Sequence, residues 1–270
     1  MTLDHSLRVL VTNDDGVSSP GLWHLAAAIA RLGCDVVVAA PLADSSGFAA
    51  AVGDVVSGAV IATAPASSNL APDIVGWSVD GPPGRCVLAG VLGVFGTAPD
   101  VVVSGINAGA NTGRFLQLHS GTLGAALTAG NYGLRALAVS LDTTPGVEAD
   151  DAGRQWGTAA EVAALLLPQL VERPARTVWN VNVPNVPLAD VGGVAEAALG
   201  RSRQTLGASK VVDGRHVLGL VAAGDASVAG REGRPATDRE LLDNGMVTVM
   251  GVTPPGVVPV GEVHLATHVD

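Results

Sequence analysis

Val9-Leu10-Val11-Thr12-Asn13-Asp14-Asp15-Gly16 changes character within eight residues: a run of strand formers gives way to an amide, two carboxylates and a glycine. The apolar run reads as a buried first strand, and the polar residues fall at its carboxyl end. In open α/β sheets that edge is where ligands bind. Two adjacent carboxylates repel one another, so keeping both ionised normally requires a cation beside them. The plainer reading is an Asp-Gly turn whose acids are solvated and cap the next helix.

Outward from this stretch the pattern alternates. Pro20-Gly21 starts a helix with Leu22, Leu25, Ala26, Ile29 and Leu32 on one face, Gly33 ends it, and Asp35 to Ala40 is a second strand. Residues 41–71 read as loop with short edge strands, and Asp80-Gly81-Pro82-Pro83-Gly84 as a turn leading into a helix from about Arg85 to Leu92. Asp100 to Ser104 is a further buried strand followed by a glycine- and asparagine-rich loop over 105–113. Ser120-Gly121-Thr122 opens another helix, Arg135 to Leu141 is a strand, Asp151 to Val171 a helix, and Thr177 to Val183 a strand closed by Pro184. This is the alternation of a doubly wound, mostly parallel, Rossmann-like α/β sheet.

Beyond Asp190 the style changes. A hairpin is expected at 208–220, turning at Asp213-Gly214, and a strand over Met246 to Val252. We therefore expect a catalytic core over 1–190 and a β-rich extension over 191–270. The hairpin is either an arm that covers the site or reaches a partner subunit, or a β edge of the same domain.

Composition narrows the function. Hydrophobic residues make up 48% of the 270 residues and charged residues 15%, enough apolar content for a large core. Aromatics are only 3%, so Val, Ala and Leu carry the core, as in buried parallel strands under alanine-rich helices. With 25 acidic against 15 basic residues and a net charge of −10, a broad nucleic-acid surface is not expected. A small phosphorylated substrate is still compatible, because a metal and backbone amides bind it locally. Cys34 and Cys86 lack metal-ligand spacing and read as buried thiols in a reducing compartment. No signal peptide or membrane span is read, so a soluble cytoplasmic protein is expected.

Three loops fall at strand ends: 13–16, Asp44-Ser45-Ser46-Gly47, and Ser104 through Asn107 to Asn111. Together they offer carboxylates, a hydroxyl and an amide oxygen, which suits Mg2+, Mn2+ or Ca2+ better than zinc. The Ser120-Gly121-Thr122 helix start adds free N–H groups, hydroxyls and the positive end of a helix dipole, an anion cradle. Metal beside anion cradle points to phosphoryl chemistry.

These residues also carry a family resemblance. Val11 to Gly16 with Pro20-Gly21, Ser46-Gly47 after Ala40-Pro41, Val103 to Asn111, Ser120 to Thr122, Ala138 to Leu141, Asn180 to Pro184 and Thr237-Asp238 resemble, in order, the SurE family of stationary-phase survival proteins. The resemblance implies a metal-dependent phosphatase acting on nucleoside monophosphates, a 5′/3′-nucleotidase. It implies one Mg2+ or Mn2+ held by Asp14, Asp15, Ser46 and Asn107, and phosphate held by Asn111, Ser120, Gly121 and Thr122. Asp14 and Asp15 would act on the attacking water, Asp14 beside it. A homodimer or homotetramer would be expected, although the long C-terminal helix common in family dimers is not read before Asp270.

The chain departs from the family pattern at Leu42, where an acid is usual, and at Arg114 and Phe115, where a pair of acids is usual. His119 stands where Tyr is frequent, next to the cradle, and is a candidate general acid or a loop histidine held by backbone bonds. Thr237-Asp238 reads as a helix cap, and His264 with His268 as a frayed tail. The departures keep two alternatives open: a binding or assembly protein with this fold, and a phosphatase recruited to a phosphorylated sugar or secondary metabolite.

Overall fold

The structure, a computed structural model, describes residues 7–55, 61–143, 153–201, 204–206, 210–212, 215–217, 220–222 and 235–254. The first strand, β1 (Arg8–Thr12), pairs in parallel with β2 (Asp35–Pro41) on one side and β5 (Val101–Ala108) on the other. The remaining strands of this sheet are β3 (Thr63–Ala66), β4 (Val75–Val79), β6 (Arg135–Asp142), β7 (Val178–Pro184), β8 (Val194–Glu196) and β13 (Val247–Val252). Their order is β3-β4-β2-β1-β5-β6-β7-β13-β8, with β3 and β13 antiparallel to their neighbours β4 and β7. The winding reverses between β1 and β5, so the crevice between their carboxyl ends is the topological switch point where α/β sheets bind ligands.

Alternation along each strand builds two cores. Val9, Val11, Val103, Val139 and Val181 face α1 (Pro20–Ala30) and α5 (Trp156–Val171). Leu10, Val102 and Ala138 face α2 (Pro83–Val91) and α4 (Gly121–Asn131). Burial on both faces explains why these strands read as unbroken apolar runs. The doubly wound reading therefore holds. Among the described residues no helix is long and apolar enough to cross a membrane.

Several local expectations need correction. Residues 105–108 are strand, not loop: β5 continues to Ala108 after a register shift between Ser104 and Asn107. Gly105 makes this possible, since a Cβ there would lie 2.3 Å from the Val139 carbonyl oxygen. The segment before Ser120 is a helix, α3 (Gly113–His119). Strand β4 was not foreseen.

From residues beyond 190, β8, β13 and the helix α6 (Asp238–Asp243) belong to or pack on the main sheet. The expected hairpin is present as β10 (Lys210–Val212) against β11 (Arg215–Val217). A second ladder joins β9 (Gln204–Leu206) to β12 (Leu220–Ala222). Among the described residues these two ladders are separate from the nine-stranded sheet. His264 and His268 lie outside the described residues.

Candidate active site

Asp14 and Asp15 follow directly from β1, and the chain folds the neighbouring segments onto them. Asn13 Nδ2 donates to the Gly16 carbonyl at 3.0 Å, closing the turn. The Ser45 N–H donates to the Asp14 carbonyl at 2.7 Å, which stitches the loop after β2 against the loop after β1. From the other side, α4 arrives end-on. Thr122 Oγ1 donates to Asp14 Oδ1 at 2.6 Å, and a Cβ at residue 121 would lie 2.7 Å from the Asp14 Cβ. Glycine at 121 is therefore what allows the helix terminus to touch the carboxylate.

The electrostatics are unfavourable to two bare charges. Asp14 is 3% exposed, and burial above all raises its carboxyl affinity for protons, partly opposed by the Thr122 bond. Asp15 is pushed up to about 7, first by burial, then by the adjacent Asp14 and by Asp44; a backbone bond from Ala108 opposes this, and Arg154 opposes it least. A cation among these groups would reverse the shift.

The orientation of the surrounding oxygens tests that idea. Ser46 Oγ donates its proton to Asp44 Oδ1 at 2.6 Å, leaving its lone pairs unspent. Asn107 Nδ2 donates to the Gly109 carbonyl at 2.6 Å, so its Oδ1 is the free end of the amide. Two carboxylates, one hydroxyl oxygen and one amide oxygen suit a hard divalent cation. Asp44 itself was passed over in the sequence, where only Ser46 of that loop was singled out.

Ser120 caps α4 by accepting from the Leu123 N–H at 3.0 Å, which leaves its own hydroxyl proton available to an anion beside the first turn of the helix. Asn111 is buried behind Thr122. Its side-chain amide donates to Ser140 Oγ at 2.9 Å and Thr122 Oγ1 at 3.4 Å. His119 ends α3, is exposed, and leans its ring on Phe115 with centroids 4.6 Å apart. Leu42 and Arg114 are also exposed.

Sequence reading missed two supports. Asn180 and Asn182 of β7 bond the Asn111 backbone; the available signal was a pair of amides alternating within a strand otherwise buried and apolar. Thr237 is indeed the cap of α6, completed by Glu240 in a capping box. Its neighbour Asp238 does something else: its buried carboxylate accepts from the Gly113 N–H at 2.7 Å and the Gly200 N–H at 3.2 Å.

The family described as "Survival protein SurE" matches residues 9–205. The chain belongs to the SurE family. A 5′-nucleotidase SurE from Nitrosococcus oceani is 35% identical over 247 residues, spanning 90% of each chain. Another, from Geobacter metallireducens, is 39% identical over 197 residues, covering 72% of this chain and 71% of that one. The crystal structure of the SurE protein from Aquifex aeolicus superposes with a TM-score of 0.72 at 26% identity, over 92% of this chain and 94% of that one. The SurE match thus includes residues 13–16, the loop that bears Ser46, β5, the start of α4 and β7, while α6 with Asp238 lies beyond it.

Proposed function

We propose that this protein is a divalent-metal-dependent phosphomonoesterase that hydrolyses nucleoside monophosphates. The reading is supported by the state of four oxygen-bearing groups: the adjacent Asp14 and Asp15 carboxylates, Ser46 Oγ with its proton given to Asp44, and Asn107 with its amide nitrogen given to the Gly109 carbonyl. The names of the curated relatives, 5′-nucleotidase SurE, supply the substrate class.

Asp14, Asp15, Ser46 and Asn107 would hold one Mg2+ or Mn2+. Bound there, it supplies neutralisation of phosphoryl charge and a water made acidic enough to attack at neutral pH. Asp14, its carboxyl held by Thr122, would orient the attacking water and accept its proton. Ser120, Gly121 and Thr122 present the α4 terminus to the phosphate, whose equatorial oxygens meet donors already in place. His119 precedes this turn directly and is the adjacent group able to protonate the leaving oxygen.

One feature favours a narrower variant of this reading. Leu42 and Phe48, on the same loop as Ser46, are 64% and 55% exposed, an apolar surface that would serve a phosphate ester with an apolar alcohol part.

A panel of nucleotide and non-nucleotide phosphomonoesters, assayed with Mg2+ or Mn2+ and then with chelator, tests both forms. The expected result is metal-dependent turnover of nucleoside monophosphates that disappears in the Asp14→Asn, Asp15→Asn double variant. Turnover that survives chelator or the double variant would overturn the site. Turnover confined to non-nucleotide esters would move the substrate to the second class, and metal binding without any turnover would favour a binding protein.

A further inference from the structure

Asn111 is gripped on both sides of its peptide by side chains from one strand. Its N–H donates to Asn182 Oδ1 at 2.7 Å, and its carbonyl accepts from Asn180 Nδ2 at 3.0 Å. Asn180 and Asn182 are two apart on β7, so both amides project from the same face of the sheet. Each is 1% exposed. Together they give residue 111 the donor and acceptor that a neighbouring strand would otherwise provide.

The side chain of Asn111 is fixed as firmly. Thr122 has one hydroxyl proton, and it is given to Asp14 Oδ1 at 2.6 Å. Thr122 Oγ1 must therefore accept from Asn111, which places the Asn111 nitrogen, not its oxygen, towards Thr122. The second hydrogen of that nitrogen goes to Ser140 Oγ. Both amide hydrogens are spent, and Oδ1 is the side-chain atom left with bonding capacity.

We propose that Asn180 and Asn182 are positioning residues that clamp Asn111 so that it meets the reacting groups through Oδ1, as a hydrogen-bond acceptor. This rests on the phosphomonoesterase reading above and alters it in one respect. An amide oxygen does not bind an unprotonated phosphoryl oxygen; it binds a cation, as proposed for Asn107, or an O–H donor, and Asn111 stands outside that cation's four donors. That donor is either the attacking water or a hydroxyl of the substrate sugar, and the Ser120-Gly121 turn is left to hold the phosphate.

The two clamps have opposite polarity, which makes them separable from mere packing. Asn182 must accept, so Asn182→Asp preserves its bond to the Asn111 N–H, whereas Asn182→Leu removes it. Amide hydrogen exchange of the 109–113 segment reads the clamp without reference to activity. Asn182→Leu is expected to deprotect the Asn111 amide at least tenfold and to lower kcat at least tenfold with KM within about threefold. Asn182→Asp is expected to recover both to within about threefold of wild type.

Should Asn182→Leu not fold, Asn182→Thr, whose oxygen is too short to reach, takes its place with the same expectation. Equal kcat losses on AMP and on p-nitrophenyl phosphate, which has no sugar, assign the acceptor to water; a loss confined to AMP assigns it to the sugar hydroxyl. Unchanged exchange and kinetics in Asn182→Leu, or an Asn182→Asp variant that stays folded yet falls as far as Asn182→Leu, would overturn the clamp. Absence of phosphomonoester turnover in the wild type would overturn the parent reading, and the exchange arm would still decide whether the clamp exists.

Discussion

The β1 and β7 sides of the candidate site are finished in opposite ways. On the β1 side, Asp14 and Asp15 are buried next to one another and both carboxyls are driven towards protonation. On the β7 side, Asn111, Asn180, Asn182 and Ser140 are neutral and joined by bonds of 2.7 to 3.0 Å, while Asn180 Oδ1 is buried without a partner among the described residues. Buried polar groups that find partners rigidify a core, and buried charges without compensation destabilise it. The neutral side is thus a frame held by its own hydrogen bonds, and the charged side is relieved by protons or, on the proposed reading, by a cation. Thr122 joins them, accepting from Asn111 and donating to Asp14.

The charged side depends most on Asp14. Asp14→Asn keeps the volume and removes the charge, and kcat/KM should fall by about a thousandfold, the upper range for loss of one preorganised electrostatic group. Steady-state kinetics with saturating Mn2+ measure this, and a loss under tenfold would remove Asp14 from the chemistry. Gly121→Ala comes next. In an open helix alanine is better than glycine by about 1 kcal/mol. Here its Cβ would press to 2.7 Å on the Asp14 Cβ, so the carboxylate or α4 must shift. A misplacement on the order of 1 Å costs about a hundredfold in rate, and a Gly121→Ala enzyme with wild-type kinetics would show that the contact is not needed.

The charged side also sets a pH dependence. In the unfolded chain an aspartate releases its proton near 3.8, and in the folded chain Asp15 releases it at about 7. Between those values the folded state binds more protons, so the stability of the metal-free protein is highest below the window and falls as pH rises through it. Melting in chelator at pH 5 and pH 7.5 should show a Tm lower by several degrees at the higher pH, with about 2–4 °C for each kcal/mol in a chain of this size. Mn2+ should restore more at pH 7.5 than at pH 5, and Asp15→Asn should raise the metal-free Tm at pH 7.5. A Tm that climbs across this window would contradict the buried, uncompensated pair.

How much of this was legible in the sequence follows the same division. Strands β1, β2, β5, β6 and β7 stand out because they are buried on both faces, and Asp14 and Asp15 because charge ends an apolar run. Strand β4, Val75-Gly76-Trp77-Ser78-Val79, carries no such run and is a strand because β2 pairs with it. Helix α3 has no side-chain cap at its own start; its first N–H is taken by Asp238, 125 residues away. Asn180 and Asn182 were visible as a motif, but their purpose depends on Asn111, 69 and 71 residues distant. What local pattern encodes could be read, and what long-range bonds impose could not.

The smallest effect tests whether the frame extends to that distant support. Thr237 caps α6 through Glu240, and the cap presents the next residue, Asp238, to Gly113 and Gly200. Thr237→Ala should cost about 1 kcal/mol, the usual loss for an N-cap hydroxyl. If α6 served only its own stability, Tm would drop and kinetics would be untouched. Because Asp238 holds the Gly113 N–H two residues from Asn111, KM for the phosphate ester should rise by about twofold to fivefold as well, since up to about 1 kcal/mol of the cap's energy reaches the pocket. Parallel measurement of Tm and KM separates the two, and an unchanged KM beside a lowered Tm would confine the frame to β7.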